Sequence, residues 1–179
     1  MLRNLLVSVI MMTIISMNCL AQNVLHNEET VEILRTDEID KSLAVAQIVA
    51  NHPRLGIEYA GKVVAAASKA SEEFNIPLNI VLAIAYVESS YKLNAVNEVS
   101  NDYGIMQVND WHVKKSRLSK IKLMSDLDYS FYHGVRIFSW FYQRYPLDIA
   151  IGRYNCGTRH SCVKTSYVKK YIDKVKKSM

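Results

Sequence analysis

Apolar side chains recur at intervals of three and four residues along most of the chain, which is the spacing of one face of an α-helix. The helices that this spacing predicts cover residues 57–74, 77–88, 128–145, 148–155 and a last segment after residue 166, with another near 39–50. The stripe of the last helix consists of Tyr167, Val168, Tyr171, Ile172 and Val175. The segment 94–102 is rich in turn-forming residues, so any short strand belongs there, and residues 104–109 are expected to form a helical turn. The pattern therefore predicts a mainly α fold with little or no β structure.

Glu88 ends the most apolar of these segments, the run Ile80–Val87. On a helix, Val81, Ile84 and Ala85 share a face with Glu88, so its carboxyl is expected to point to the core or into a cleft. Burial raises a carboxyl pKa because it penalises the anion, and the negative end of the helix dipole acts in the same direction. A Glu kept protonated near neutral pH is a proton donor of the kind that glycosidic bond cleavage requires. Judged by position alone, a solvated charge at a helix end is the other interpretation.

Three motifs that follow one another give this Glu a context. The first, residues 83–91, reads AIAYVESSY, the second, residues 102–111, reads DYGIMQVNDW, and the third, residues 150–157, reads AIGRYNCG. Together they resemble the soluble lytic transglycosylase domain over roughly residues 56 to 175, with Tyr167-Val168 similar to the Tyr-Val pair that closes it. The likeness is greatest to the small specialised enzymes of pilus-assembly, type III and type IV secretion systems. It implies a lysozyme-like helical domain of the goose type, with a glycan groove.

The resemblance also implies an activity, cleavage of the bond between N-acetylmuramic acid and N-acetylglucosamine without a cofactor. Glu88 matches the single catalytic acid, which protonates the bridging oxygen while the acetamido oxygen of the sugar stabilises the developing oxocarbenium centre. Glu88 then takes the proton of the muramic C6 hydroxyl, which closes a 1,6-anhydro ring. The substrate-binding positions that the resemblance implies are Ser89, Asn97, Tyr103, Met106, Gln107, Asn109 and Tyr154.

These matches differ in what they imply for each residue. Ser89 could instead make a structural hydrogen bond at the helix end, and Asn97 stands where many relatives carry a Ser that binds the acetamido group. Met106 is expected to supply an apolar wall of the groove. Asn155 and Gly104 match positions with structural roles, Asn155 by holding its loop in place.

Asp102 opens two further interpretations. The segment from Asp102 to Asn109 is also similar to chicken-type lysozyme, in which an Asp before Tyr-Gly is the second carboxylate of a retaining hydrolase. The other interpretation is that Asp102 only caps the turn at Gly104, a common use of Asp. A third hypothesis is a domain that binds glycan, or recruits an assembly, without cutting it.

The N-terminal residues predict export. Arg3 and an uncharged apolar run, ending near Cys19-Leu20-Ala21, are typical of a secretory signal peptide, so we assign residues 1–21 to it and expect no membrane insertion after its cleavage. An uncleaved segment that anchors the protein is the alternative. Residues 22–55 form an acidic extension and residues 56–179 the catalytic domain. Without Cys19, Cys156 and Cys162 remain, a pair that suits a local disulfide in an oxidising compartment, although two free thiols remain an alternative. The expected location is the periplasm of a Gram-negative bacterium.

The charge of the chain and the spacing of its metal-ligating residues limit the classes of partner that it is expected to bind. Residues 42–179 carry 19 basic and 11 acidic side chains, a net charge of +8 that favours an anionic polymer such as peptidoglycan with its peptide carboxylates. Export and the absence of a nucleic-acid motif argue against DNA. His112, His133 and His160 have no ligand spacing, so no metal site is predicted. The expected partners are glycan strands and components of a secretion or pilus apparatus, bound by a monomer.

Overall fold

The structure is a computed structural model that describes residues 30, 32, 37–159 and 161–179. The predicted signal peptide and residues 22–29, 31 and 33–36 of the acidic extension lie outside the described residues, as does His160. The chain divides into two units, Met1–Leu43 and Ala44–Met179. In the first unit residues 37–43 are helical, within the segment for which a helix is predicted near 39–50. In the described part of the chain, no helix combines the length and the apolar character needed to span a membrane.

The second unit is mainly α, as predicted. Its helices are α1 (44–51), α2 (Ile57–Phe74), α3 (Leu78–Ser89), α4 (Asp110–Lys115), α5 (Lys120–Ser125), α6 (Leu127–Tyr142), α7 (Leu147–Cys156) and α8 (Ser166–Lys177). Its strands are β1 (Val96–Asn97), β2 (Asp102–Tyr103) and β3 (Val108–Asn109). Two 3-10 turns, Pro53–Leu55 and Cys162–Lys164, complete the secondary structure. The predicted long helices are confirmed to within a few residues at their ends.

The strands correct one prediction. Residues 104–109 do not form a helical turn, because residues 104–107 make a turn closed by a hydrogen bond from the Gln107 amide to the Gly104 carbonyl, and β3 follows. Gly104 has φ +82° and Gln107 has φ +48°, both outside the right-handed helical region. The strands pair antiparallel in the order β1-β2-β3, with Asp102 opposite Asn97 on one side and Asn109 on the other. This small sheet therefore brings Asp102 and Asn109 side by side.

The short helices α4 and α5 were not predicted, because six residues are too few to show a periodic apolar stripe. Each is instead started by a side chain that accepts a hydrogen bond from the first turn, Asn109 for α4 and Ser119 for α5. Asp126 does the same for α6, which therefore begins at Leu127. In the last helix the buried stripe is narrower than predicted. Tyr167 is 69% exposed, and the buried residues are Val168, Tyr171, Ile172 and Val175.

The core lies where α2, α3 and α8 surround the central pair α6 and α7. Helix α2 packs against α6 and α3, α7 packs against α6, and α8 lies against both α7 and α3. Fully buried side chains fill the space between them, among them Ile84, Ile105, Met106, Phe131, Phe138 and Ile151. Gly134 of α6 faces Met106, and a Cβ at position 134 would lie 2.3 Å from the Met106 Cβ. The lack of a side chain at 134 therefore lets the loop between β2 and β3 approach α6 closely.

Gly134→Ala should lower the free energy of unfolding by about 2–3 kcal/mol, because the added methyl overpacks a core that is already filled. Gly61→Ala is the matched control, since a Cβ there meets nothing within 4 Å and replacing a helical Gly stabilises by up to about 1 kcal/mol. Denaturant unfolding of the two variants measures both effects. Equal stability of the two would contradict the close approach.

Candidate active site

Glu88 lies at the last turn of α3, where the chain leaves the helix abruptly. Ser90 and Tyr91 both have positive φ, 52° and 62°, so the helix cannot continue past them. The Ser89 hydroxyl lies 2.8 Å from the carbonyl oxygen of Ile105 and 3.1 Å from that of Ala85. The bond to Ile105 fastens the end of α3 to the loop between β2 and β3. This is the structural role of Ser89 that the sequence left open.

The carboxyl of Glu88 is held by a residue from the far end of the chain. The Tyr171 hydroxyl, on α8, donates a hydrogen bond of 2.6 Å to Oε1 of Glu88. The pKa of Glu88 is raised from 4.5 to about 7, chiefly by burial; the hydrogen bond from Tyr171 lowers the pKa, and the negative charge of Asp102 raises it. Burial also raises the pKa of Tyr171 well above 10, so its hydroxyl stays protonated and can donate. Glu88 is therefore present as both acid and anion near neutral pH.

Asp102 is close enough for its charge to raise the pKa of Glu88, and each of its own carboxylate oxygens accepts a hydrogen bond. Asn109 Nδ2 donates to Asp102 Oδ1 over 2.7 Å, and the hydroxyl of Ser100 donates to Oδ2. The same Asn109 amide donates to the Ser100 carbonyl over 2.9 Å, and its Oδ1 accepts from the Trp111 amide over 3.0 Å. Asp102 and Asn109 thus hold the sheet and the start of α4 together.

The loop between the sheet strands is held by the side chains of two motifs. Gln107 Nε2 lies 3.2 Å from the carbonyl oxygen of Ala95 and 2.9 Å from that of Gly104. The Tyr154 hydroxyl donates to the Met106 carbonyl over 2.7 Å. Burial raises the pKa of Tyr154 well above 10, and the charge of Glu88 contributes in the same direction, so this hydroxyl also stays protonated. The motif on α7 therefore supports the loop between β2 and β3.

A cavity of about 440 Å³ opens beside Glu88. This volume falls within the range of ligand sites in proteins. The described residues that line it are Glu88, Ser100, Asp102, Gln107, Val108, Asn109, Trp111, His112, Ile137, Phe141, Tyr154, Asn155, Cys156, Gly157, Thr158 and Arg159. Within the described ranges, no three His, Cys, Asp or Glu side chains are grouped as a metal ion would require. One acid with a pKa of about 7 thus faces a cavity whose walls are both polar and apolar.

The family model of the transglycosylase SLT domain matches residues 65–176. The chain belongs to this family. It is 39% identical to protein IpgF of Shigella flexneri over 97 residues, which are 50% of this chain and 64% of IpgF. It is 32% identical to the invasion protein IagB of Salmonella typhi over 118 residues, which are 61% of this chain and 74% of IagB.

A solved structure shows the same fold. The X-ray structure of an inactive mutant of the lytic transglycosylase Slt from Pseudomonas aeruginosa matches with a TM-score of 0.54 at 17% identity, over 64% of this chain and 22% of Slt. The predicted lysozyme-like helical fold of the transglycosylase type is thereby confirmed. The chain therefore matches only part of each protein, 22% of Slt and 64% of the length of IpgF.

The SLT domain gathers some of the residues singled out in the sequence and separates others. Those that line the cavity are Glu88, Asp102, Gln107, Asn109, Tyr154 and Asn155. Asn97 does not line it, because its side-chain oxygen accepts from the amides of Val99 and Ser100 in an exposed turn. Nor does Tyr103, whose hydroxyl accepts from Lys120 over 2.8 Å.

Two predicted roles change with the packing. Met106 is completely buried against Gly134, so it belongs to the core instead of the groove wall. Asn155 was expected to hold its loop, but its side chain lines the cavity and makes no hydrogen bond to any described residue. Gly104 is where a structural glycine is needed, since a Cβ there would lie 2.1 Å from the carbonyl oxygen of Leu123.

Tyr171 is the residue that the sequence reasoning missed. The closing Tyr-Val pair was placed at Tyr167-Val168, but Tyr167 points to solvent and Tyr171, one turn later, reaches Glu88. In the sequence, Tyr171 looks like one more core aromatic of the α8 stripe. The available signal was its pairing with Ile172, which offers a second Tyr followed by a β-branched residue in the same helix.

The loop after α7 closes one side of the cavity. Cys156 and Cys162 form a disulfide across it, with their Cα atoms 6.0 Å apart. Arg153, buried beneath the loop, lies with its guanidinium 4.7 Å from the Tyr145 ring centre and donates to the Gly157 carbonyl over 3.3 Å. The disulfide and the hydrogen bond from Arg153 therefore both hold the loop backbone in place.

Tyr171→Phe should raise the pKa of Glu88 above about 7, because the variant loses a hydrogen bond that stabilises the carboxylate. The change is read from the pH titration of the Glu88 side-chain carboxyl carbon by NMR. Tyr167→Phe is the matched control on the same helix and should leave that titration unchanged. An unaltered titration in Tyr171→Phe would contradict the bond between these helices.

Glu88→Gln should stabilise the fold at pH 8 and have much less effect at pH 4. The ordinary pKa of 4.5 lies below the folded value of about 7, so the unfolded chain loses this proton first as pH rises. Stability from Glu88 is therefore fully present below 4.5 and lost as pH rises through 7, by up to about 3 kcal/mol at 1.36 kcal/mol per unit. Thermal unfolding at the two pH values measures this, with the exposed Glu73→Gln as control. A Glu88→Gln variant that is less stable than the parent at pH 8 refutes the desolvated carboxyl.

Proposed function

We propose that this chain is a peptidoglycan lytic transglycosylase in which Glu88 acts first as acid and then as base. The observation that carries the proposal is one carboxyl with a pKa of about 7, facing a cavity of about 440 Å³. A general acid works best when its pKa is near the working pH, because it is then available in both protonation states. Membership of the SLT family gives the substrate, peptidoglycan.

The proposed reaction uses the two states of Glu88 in order. Protonated Glu88 donates to the oxygen between N-acetylmuramic acid and N-acetylglucosamine, and the acetamido oxygen of the muramic residue stabilises the positive charge at its anomeric carbon. The Glu88 carboxylate then removes the proton of the muramic C6 hydroxyl, whose oxygen attacks the anomeric carbon and closes a 1,6-anhydro ring. No water is consumed, so Glu88 ends the cycle protonated again. Tyr171 favours the first step by stabilising the carboxylate that forms, and the same hydrogen bond holds that carboxylate in place for the second step.

A retaining hydrolase is the second candidate, and Asp102 is its specific support. Asp102 lines the same cavity and its charge raises the pKa of Glu88, as a second carboxylate should. Hydrogen bonds from Asn109 and Ser100 stabilise the Asp102 carboxylate and make it a weaker nucleophile, although each oxygen keeps a lone pair. Membership of the transglycosylase SLT family makes the transglycosylase the better-supported proposal.

The cellular setting follows from chemistry and from the relatives. A disulfide between Cys156 and Cys162 suits an oxidising compartment, and the substrate of the family lies outside the cytoplasm. We propose an exported protein of the Gram-negative periplasm. One relative is named an invasion protein, which supports local opening of the wall for a secretion or pilus apparatus.

Digestion of purified sacculi, followed by mass spectrometry of the soluble products, tests the reaction type. The transglycosylase leaves anhydro ends, which are lighter by one water than the reducing ends that a hydrolase leaves. Glu88→Gln should lower product release by at least about a thousandfold, since it removes the only proposed proton donor. Asp102→Asn should lower it by no more than a few fold, because the amide oxygen can still accept from Asn109 while the amide NH2 donates to the Ser100 hydroxyl.

Reducing ends, together with a severe loss in Asp102→Asn, would decide for the hydrolase. Undiminished release by Glu88→Gln would remove Glu88 from its proposed role. Binding of sacculi by a parent protein that releases nothing would favour the non-catalytic hypothesis.

A further inference from the structure

Arg159 is the charged residue of the cavity for which the proposed reaction has no use. It lines the cavity together with Gly157 and Thr158 from the disulfide-bridged loop. Its side chain is exposed and makes no hydrogen bond, ion pair or ring contact with any residue that the structure describes. The two arginines that precede it in the chain differ, since Arg153 is buried over Tyr145 and Arg144 lies over the Trp140 ring. The five donors of the Arg159 guanidinium are thus available to a ligand.

The backbone that carries Arg159 is held in place although its side chain is free. The disulfide closes the loop, Arg153 donates to the Gly157 carbonyl over 3.3 Å, and the Cys162 amide donates to the Arg159 carbonyl over 3.2 Å. Such fastening lowers the entropy that the loop loses when a ligand binds. An arginine on a tethered loop at a cavity is therefore better prepared for binding than one on an open surface.

The charges of the cavity single out Arg159 further. Glu88 and Asp102 are its acidic residues, and each already accepts hydrogen bonds from neighbouring side chains. Burial lowers the pKa of His112, and the charges of Lys115 and Arg136 lower it further, so His112 is mostly neutral at pH 7. Among the described lining residues, Arg159 is accordingly the permanent positive charge.

The charge of peptidoglycan is not on the two sugar rings but on the stem peptides joined to the muramic lactyl group. A guanidinium binds a carboxylate through two parallel hydrogen bonds, which makes it selective for that group. We propose that Arg159 is the binding site for a stem-peptide carboxylate, so that this chain selects glycan by the charge of the peptide beside the cut bond. This inference rests on the proposed function for its substrate class.

Equilibrium binding to the Glu88→Gln variant tests the site without any cleavage. The probes are soluble glycan fragments with stem peptides, either with free peptide carboxylates or with the same carboxylates chemically amidated. At low salt the free form should bind about tenfold more tightly, corresponding to about 1.4 kcal/mol, and added salt should reduce this preference. Adding Arg159→Gln should bring the two affinities together, whereas adding Arg159→Lys should keep part of the difference.

Arg144→Gln, in the same Glu88→Gln background, is the matched control because Arg144 lies outside the cavity lining. It should keep the full preference. Equal binding of the two probes to Glu88→Gln, or an undiminished preference in the Arg159→Gln double variant, overturns the proposal. Either result leaves the proposed function standing if the parent still releases anhydro products from sacculi. A preference that depends on Arg159, in a chain whose parent releases none, upholds the site and overturns the function.

Discussion

The hydrogen bond between Glu88 and Tyr171 joins two helices whose residues lie 83 positions apart in the chain. It forms only when α8 is packed against α3, and the same packing removes water from the carboxyl. Because burial is the largest influence on the pKa of Glu88, the chemistry of this side chain is a property of the assembled domain. A chain with α8 displaced would return Glu88 to water and to the pKa of an ordinary carboxyl. The last helix is thus part of the site, although it carries none of the three motifs.

The motif residues around Glu88 serve mainly to hold backbone. Ser89 contacts the Ile105 carbonyl, Tyr154 donates to the Met106 carbonyl, and Gln107 contacts the Gly104 carbonyl. Buried carbonyl oxygens without partners are costly, so these side chains stabilise a loop that no helix or long strand could support. A motif shared by a family can therefore reflect the cost of building a site as much as contact with substrate.

The sequence predicted the parts of the molecule that depend on a repeated apolar pattern. The bounds of α2 and α3 and the burial at the end of α3 followed from spacing, and Glu88 could be singled out on that basis. The sequence could not reveal α4, which begins with a single hydrogen bond made by the Asn109 side chain, or β3, which follows the positive φ of Gln107. Nor could it separate Tyr171 from Tyr167, because helical spacing identifies a face but not what the opposite element places there. Nor could it show that the Asn97 side chain bonds within its own turn, because a turn-forming amide and a sugar-binding amide look alike in sequence.

A single carboxyl that must both give and take a proton is limited by its own pKa. If the pKa were far above 7, the acid would donate poorly and the anion would be scarce, and far below 7 the acid itself would be scarce. Burial and the charge of Asp102 push the value upward, while the hydrogen bond from Tyr171 pulls it back to about 7. The two neighbours therefore act in opposition on one group. On this argument Asp102 contributes by its charge at a distance, so it can matter to Glu88 without contact with the sugar, while Asn109 and Ser100 hold its carboxylate in place.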